Sequence, residues 1–378
     1  MNEDLSNPQP LLIQPGTNQF VRPQGTDGRI YLDAAASIEL YCTKSFQAPF
    51  ENVTLLLATC VRKDVFRIGQ KDIRFAALTC KDHPAHSARR TGRKCYKGAT
   101  EVEIGFEIKR GPLNSTFLRM MDLCHDEVIE TTHYTHFNMT ASSFAFQRGV
   151  SRPHFITGEF FEKRDVNQLY SVNGQRIAME HLLGQSRVID LFNGRRNFFL
   201  ARGHMMAKAD ALFGAHQRGT FYFVNSAPQW QSFNGGNWAA VEDSVRRYLT
   251  ENKINAEMYS GTYGISTLPD AFGKHVKLFL DIEGPIRRIP VPQLYYRIVL
   301  DKTTNRGIVL IGLNNPHLTL DEIIQNHILC EDVSHLLDWV SWVPSNISRG
   351  YSYACSVDSF VRAIDHLPKT ITAKGLLL

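Results

Sequence analysis

The sequence lacks any run of about 18 apolar residues, the length that a membrane-spanning helix requires. It also lacks internal repeats and low-complexity segments, which excludes repeat architectures and largely disordered chains. Its N-terminus is polar and proline-rich and has no apolar signal core. We therefore expect a globular protein that is either cytosolic or secreted, its signal peptide having been removed before residue 1.

The seven cysteines form no Cys-X-X-Cys pair and no paired Cys/His spacing, so they do not predict a zinc site. Five crowd the first third of the chain, and Cys330 and Cys355 stand alone near its end. A secreted, disulfide-bearing protein explains this distribution better. We predict a bridge between Cys330 and Cys355, two bridges among the other five with their connectivity left open, and one cysteine left over. Four Asn-X-Ser/Thr sequons weakly favour secretion too, and they begin at Asn52, Asn114, Asn138 and Asn346.

Neither sign of charge dominates, since 42 basic and 37 acidic residues leave a formal net charge of +5. This small excess suits a phosphate-rich partner, but an ordinary basic secreted protein carries it as well. One stretch, residues 83–94, is markedly basic. It is interpreted either as a nucleic-acid contact or as a solvated loop, and the solvated loop is favoured.

The hydrophobic pattern divides the chain into three parts. Residues 1–28 are predicted to be an extended N-terminal arm. Residues 29–125 contain short runs of β-branched and aromatic residues, which predict a small disulfide-stapled β-rich unit, with a short helix over 115–123. Residues 126–378 are predicted to form the larger domain. Its predicted elements are strands over 131–138, 198–201, 220–225 and 276–282, a helix over 237–250, a hairpin of 295–300 with 307–312, and short helices within 319–343.

The predicted order of elements is strand, Arg202-Gly203-His204, strand, Asn-rich turn and helix. It contains several residues of the kinds that catalyse hydrolysis. Hydrolysis of nucleic acid needs a base to activate water and a cation to stabilise charge on the phosphate. His204, at the end of a strand, is the candidate base. Gly203 is expected to let the backbone turn closely beside a bulky substrate.

Two residues before and within the predicted helix are candidate metal-site residues. The amide oxygen of Asn234 is a reasonable hard ligand for Mg²⁺. Glu242 lies eight residues on, which is about 12 Å along a continuous helix, so it is expected to act through a metal-bound water or by fixing Asn234. Arg246 follows at i+4 and is expected to orient the Glu242 carboxylate.

Each of these residues also has an ordinary structural interpretation. A histidine at a strand end is commonly structural, an asparagine before a helix commonly caps it, and a Glu/Arg pair one turn apart is commonly a solvated surface pair. Taken separately, the residues therefore leave the function open.

Together they form three linked motifs: Ala201-Arg-Gly-His204, then Asn225-Ser-Ala-Pro-Gln229, then Asn234-Gly-Gly-Asn-Trp238 with Glu242 four residues later. This arrangement, within about residues 131–255, resembles the DNA/RNA non-specific endonuclease family, the ββα-metal nucleases. The N-terminal β unit, Thr91-Gly-Arg-Lys-Cys95 and Tyr134-Thr-His-Phe-Asn-Met-Thr140 extend the resemblance over nearly the whole chain. They are similar to the branch of secreted arthropod nucleases that act on double strands.

The resemblance implies an α+β fold with a ββα-metal nuclease core on a mixed or antiparallel sheet. It implies a secreted endonuclease that hydrolyses double-stranded DNA, RNA or both and leaves 5′-phosphates. The implied cofactor is Mg²⁺, for which Mn²⁺ substitutes. His204 would be the general base, Asn234 the direct metal ligand, and Glu242 the holder of a metal-bound water.

The resemblance also implies roles for the flanking residues. Arg152, in Ser151-Arg-Pro-His154, would contact the scissile phosphate, and Arg202 would belong to the catalytic set. Asn225 and Arg246 would support the site. Ala201 departs from the family pattern, which has Asp there, and leaves open what orients His204.

Two other functions compete with this interpretation. One is a nucleic-acid-binding protein that kept the fold and lost catalysis, and the other is a phosphodiesterase for small nucleotides or lipids. The sequence leaves DNA and RNA both open as substrates, because reading the 2′-hydroxyl depends on groove geometry. It leaves the oligomeric state open as well.

Overall fold

The computed structural model describes residues 5–111, 114–161, 164–191 and 198–378. Within these ranges the protein has an α+β fold with predominantly antiparallel sheets, as the resemblance implied. No helix in the described part of the chain is both long and apolar enough to cross a membrane.

A five-stranded antiparallel sheet forms the N-terminal part of the molecule. Its strands pair in chain order and are β1 (Leu11–Ile13), β2 (Ser37–Tyr41), β3 (Leu55–Arg62), β4 (Val65–Ile68) and β5 (Lys71–Arg74). The first of them is buried and lies within the predicted N-terminal arm. A disulfide joins Cys42 to Cys80, and Cys60 is a free, buried cysteine.

The next four strands begin the central sheet and are β6 (Ser87–Lys94), β7 (Thr100–Lys109), β8 (Ser115–Asp126) and β9 (Thr131–Met139). The helix predicted over 115–123 is wrong, because that segment is β8 and pairs with both β7 and β9. Tertiary pairing overrides the helical preference of its leucines and methionines. The basic stretch is also largely a strand rather than a loop, since its last 8 residues form β6. Cys95 and Cys124 form a second disulfide.

Three helices follow, α1 (Val166–Leu169), α2 (Val172–Leu183) and α3 (Gln185–Leu191). They lead to a unit of two strands and a helix, which consists of β10 (Leu200–His204), β11 (Ser226–Trp230) and α6 (Ala239–Glu251). Two shorter helices lie between these elements, α4 (Gly214–Arg218) and α5 (Gln231–Phe233). The strand predicted over 220–225 is misplaced. Residues 223–225 form a 3₁₀ turn, and the strand begins at Ser226.

The remainder of the chain completes the central sheet and adds two separate two-stranded sheets. Its elements are β12 (Ala256–Tyr263), β13 (Thr267–Pro269), β14 (His275–Lys277), β15 (Phe279–Glu283), β16 (Ile286–Pro290), β17 (Leu294–Asp301), β18 (Arg306–Leu313), α7 (Leu320–Asn326), β19 (Ser352–Cys355), α8 (Val357–Ala363) and β20 (Gly375–Leu376). The two separate sheets are β13 with β14 and β15 with β16. The predicted hairpin is confirmed as β17 and β18. The predicted bridge between Cys330 and Cys355 is confirmed, as are two bridges among the first five cysteines.

The central sheet has the order β19-β18-β17-β12-β9-β8-β7-β6, with β20 parallel to β18. The predicted domain boundary after residue 125 lies near the end of β8, whose two neighbours belong to the same sheet. Alternate residues of β17 face opposite sides: Tyr295 and Val299 enter the core that contains α6, whereas Tyr296 and Ile298 enter the core that contains α8. The sheet therefore supports the two strands and helix of the candidate site on one face.

Candidate active site

The Arg-Gly-His tripeptide lies on an antiparallel hairpin of β10 and β11. His204 stands opposite Ser226, and Gly203 stands opposite Ala227. A Cβ atom on Gly203 would lie 2.6 Å from Gln229 Cβ and 2.7 Å from the Tyr295 hydroxyl oxygen. Glycine is therefore required by packing of the hairpin on the sheet. The expectation that Gly203 also lets the backbone turn closely beside a bulky substrate stays a prediction.

Two aromatic rings hold the imidazole of His204. The rings of Phe155 and Phe221 each lie 4.9 Å from it, centroid to centroid, the second in an edge-on arrangement. Its buried Nε2 has no hydrogen-bond partner among the described residues. Aromatic packing thus orients the ring, which answers the question that Ala201 raised.

The environment of His204 keeps its ring neutral. Burial, together with the positive charges of Arg152 and Lys208, lowers its pKa to about 3, although the negative charge of Asp210 opposes this shift. A neutral imidazole with an unpartnered Nε2 can accept a proton, as a general base must.

Asn225 fixes the backbone that follows His204. Its Nδ2 donates to the carbonyls of Met206 at 3.0 Å and Thr220 at 2.9 Å. Its Oδ1 accepts from the Met206 amide at 3.0 Å and from the Thr135 hydroxyl at 3.4 Å. The side chain is fully buried, so these bonds tie the end of β10 to β9 and to the turn before β11.

Asn234 begins a π-helical segment, Asn234–Trp238, that precedes α6. The segment is broken at Gly236, whose φ of −101° and ψ of −119° are not helical, and where a Cβ would lie 2.8 Å from the Arg349 carbonyl oxygen. The rise estimated for a continuous helix between Asn234 and Glu242 therefore does not apply. Asn234 Nδ2 donates to Gln231 Oε1 at 3.1 Å, which fixes the amide, and its Oδ1 accepts no hydrogen bond from the described residues.

Arg246 does not orient Glu242 directly, contrary to the expectation from their i+4 spacing. Its Nη1 donates to Asp210 Oδ1 at 2.9 Å. The other oxygen of Asp210 accepts from Arg297 Nη2 at 2.8 Å. All three of these side chains are buried. The arginine of the family motif is thus part of a buried ionic cluster beneath the site.

Asp210 and Arg297 were missed in the sequence, although each carries a detectable signal. Asp210 lies in the otherwise apolar stretch Ala209-Asp-Ala-Leu-Phe213, and Arg297 interrupts the apolar strand β17. An isolated charge at a position with a buried pattern predicts a buried ion pair. The partner is not evident from the sequence, because the two residues are 87 positions apart.

Glu242 has no ion pair or side-chain hydrogen bond among the described residues, although two arginines lie near it. Burial, with the negative charge of Asp210, raises its pKa to about 7 against the opposing charges of Arg297, Arg246 and Arg152. Its cationic neighbours Arg246 and Arg297 are instead bonded to Asp210. The carboxylate is therefore available to a cation from outside the chain.

The other two predicted catalytic arginines differ in their surroundings. Arg202 donates to Asn167 Oδ1 at 3.2 Å, and its guanidinium lies 5.3 Å from the ring centre of Tyr170 and 5.7 Å from that of Phe223. Arg152 is exposed, and its charge acts on both His204 and Glu242. The structure therefore brings Arg152, His204 and Glu242 into one neighbourhood.

The donor set is one that a magnesium ion can use. No group of three His, Cys, Asp or Glu side chains suited to a metal occurs in the described ranges. Mg²⁺ does not require such a cage, because it keeps several waters and takes one or two protein oxygens together with substrate phosphate. The open Glu242 carboxylate and the free Oδ1 of Asn234 fit this requirement.

Comparison with known proteins agrees with the motifs. The sequence model of the DNA/RNA non-specific endonuclease family matches residues 102–360. A salivary endonuclease of Lutzomyia longipalpis is 26% identical over 303 residues, which cover 79% of this chain and 70% of the relative. The salivary protein Tsal1 of Glossina morsitans morsitans is 25% identical over 356 residues, which cover 86% and 83%. The crystal structure of the EndoG/EndoGI complex is similar at 24% identity and a TM-score of 0.34, covering 52% of this chain and 72% of that chain.

Proposed function

Because the chain belongs to the DNA/RNA non-specific endonuclease family and is thus a nuclease, we propose that it cleaves double-stranded DNA, double-stranded RNA or both. It does so by hydrolysing phosphodiester bonds with one Mg²⁺ ion, for which Mn²⁺ substitutes, and it leaves 5′-phosphates. The observation that carries the proposal is the neighbourhood of a neutral His204, a Glu242 carboxylate that no described residue pairs, and an exposed Arg152.

In this mechanism the side chains divide the work. His204 Nε2 accepts the proton of the attacking water, since its ring is neutral and this nitrogen has no partner in the described ranges. Arg152 binds the scissile phosphate, and Arg202 contributes positive charge from the same strand as the base. Asn234 and Glu242 would hold the metal, Glu242 through a water, and the bound ion would stabilise negative charge on the phosphate and the leaving oxygen.

Asn225 and Arg246 act through the scaffold rather than on the substrate. Asn225 sets the path of the chain after His204, and Arg246 ties α6 to Asp210. A secreted location is part of the proposal. It is supported by three disulfides and by the salivary source of the relatives.

The proposal is tested by incubating a plasmid and a long dsRNA with the protein and Mg²⁺, with and without EDTA. We expect cleavage that EDTA abolishes. His204→Ala should lower turnover by at least ~100-fold, the scale on which a general base contributes. Rates measured side by side on dsDNA, ssDNA, dsRNA and an RNA–DNA hybrid then rank the substrates.

Other outcomes identify the competing functions. Binding without cleavage under any metal would indicate an inactive nucleic-acid-binding homologue, and cleavage of small phosphodiesters alone would indicate a phosphodiesterase. Near-normal turnover of His204→Ala would remove the base assignment. His181→Ala is a suitable control, because His181 is an exposed residue of α2.

A further inference from the structure

The basic stretch of residues 83–94 offers little free positive charge. Three of its arginines are paired with carboxylates of the same sheet or of the turn that follows β8. The pairs are Arg89 with Glu103 at 2.7 Å, Arg90 with Glu127 at 2.7 Å, and Arg93 with Glu101. Neutralised in this way, these arginines are poor candidates for binding phosphate.

A second group of cations has no carboxylate partner in the described part of the chain. The group consists of Arg152, Lys208 and Arg218, and we call it the loop cations. Lys208 Nζ donates to the Val150 carbonyl at 2.5 Å, and Arg218 Nη1 donates to the Ser151 hydroxyl at 3.3 Å. Both bonds hold the loop that carries the exposed Arg152, so the three charges are gathered around one segment.

The loop cations connect the candidate site to the N-terminal part of the chain. At one end, the charge of Arg152 acts on His204, Lys208 and Glu242. At the other end, the charge of Arg218 acts on His83 and His86. The charges therefore form a series that begins at the site and ends beside residue 83.

Nearby acidic groups do not neutralise this series. Asp82 is bonded to Lys44 at 2.8 Å, and Asp210 is bonded to Arg246 and Arg297. A cavity of about 200 Å³ borders the same loop, and His83, Arg148 and Ser151 are among its lining residues. Like charges held together without counter-charges repel one another, so such a cluster favours binding of a polyanion.

We propose that Arg152, Lys208 and Arg218 form a track for the phosphodiester backbone that flanks the cleaved bond. The track continues from the site toward residue 83, in the N-terminal part of the chain. This inference rests on the proposed function for the identity of the polyanion. The ligand of the track is a nucleic-acid strand that extends past the nucleotides bound in the site itself.

Metal-free binding tests the track separately from catalysis. A fluorescently labelled DNA duplex is titrated with wild-type protein and with Arg218→Gln and Lys208→Gln in EDTA, over a series of salt concentrations. Removing one phosphate-binding charge should weaken binding. It should also make the negative slope of log K against log salt shallower, by about 0.9 for B-form DNA. Arg93→Gln is the matched control, since it removes the same charge from a residue that is already paired with Glu101.

Conservative variants separate the effect of charge from the effect of structure. Glutamine at 218 can still bond the Ser151 hydroxyl but carries no charge, whereas Arg218→Lys keeps the charge and should retain the wild-type salt slope. A salt slope of Arg218→Gln equal to that of Arg93→Gln would overturn the track. An equally reduced slope in Arg218→Lys would also overturn it, because it would assign the effect to structure. Absence of any cleavage in Mg²⁺ with the binding differences intact would instead refute the proposed function and leave the track standing.

Discussion

Asp210 connects the helix of the candidate site to the central sheet through two buried ion pairs. Arg246 comes from α6 and Arg297 from β17, and each donates to a different carboxylate oxygen. Arg297 also donates to the Met205 carbonyl at 3.2 Å and to the Ser260 hydroxyl at 3.1 Å. Buried charges are tolerated only when they are paired in this manner. The cluster therefore fixes the position of α6, which carries Glu242.

Replacing Asp210 with Asn is expected to destabilise the fold by about 3–5 kcal/mol, because both arginines would remain buried without a counter-charge. The measurement is the free energy of unfolding in urea. Asp72→Asn is the control, since Asp72 lies in an exposed pair with Arg67 and such pairs contribute little to the free energy of unfolding. Equal effects of the two substitutions would contradict the structural role given to Asp210.

Residues that belong to local motifs could be found in the sequence, and residues that meet across the fold could not. The spacing of His204, Asn225, Asn234 and Glu242 is a property of a short segment, so it is visible in one chain. The partnership of Asp210 with Arg297 depends on how β17 passes under the hairpin, which no local pattern records. Phe155 and Phe221 were missed for the same reason, because ring contacts with His204 require the folded loop.

At the scale of the secondary-structure elements, one charged side chain connects three neighbouring strands of the central sheet. His136 of β9 lies between Asp122 of β8, at 3.1 Å, and Glu257 of β12, at 2.9 Å. Burial alone lowers the pKa of His136, but the hydrogen bonds and charges of the two carboxylates outweigh burial and raise the pKa to about 9. The protonated imidazole thus cross-links the middle of the sheet at neutral pH.

This contact predicts a loss of stability on the alkaline side. The folded pKa of His136 is above its unfolded value of about 6.5, so its contribution is fully present below about pH 6.5 and disappears as the pH rises through about 9. The difference corresponds to about 3 kcal/mol. Unfolding in urea at pH 6 and pH 10 should show this extra loss in the wild type and not in His136→Gln. A parallel decline in the stability of both proteins would exclude the imidazolium as the cause. The control is His181→Gln, which changes an exposed histidine and should behave as the wild type.

Elements with a strong internal pattern were predictable, and elements defined by their neighbours were not. The strand over 131–138, the β17–β18 hairpin and the one-sided helix α6 all carry clear periodicity. The segment 115–123 was misassigned because its leucines and methionines favour a helix, while its pairing with two strands decides the outcome. The strand over 220–225 was displaced because an aromatic, β-branched run there forms a buried turn instead.

In the described part of the molecule, charge is compensated in the basic strand and in the buried arginine cluster but not around the candidate site. The basic strand β6 is paired with acidic neighbours, and the buried arginines are paired with Asp210. Glu242 and the loop cations are exceptions that lie close to the candidate site; they bear opposite signs, and the charge of Arg152 acts on Glu242. An unpaired carboxylate beside unpaired cations suits a metal ion together with a polyanion, since each exception then gains its complement.

This distribution of charge predicts that metal binding stabilises the entire fold. A ligand that binds only the native state adds about 2.7 kcal/mol to the free energy of unfolding at 100 times its Kd. Mg²⁺ should therefore raise the urea midpoint relative to NaCl of equal ionic strength, without any substrate present. Glu242→Gln should lose most of this increase, because it removes the negative charge to which we assign the metal-bound water. Glu180→Gln should keep it, because Glu180 is a surface residue of α2 near Arg176. An equal response of the two variants to Mg²⁺ would place the metal away from Glu242. It would then contradict the metal-binding role proposed for this carboxylate.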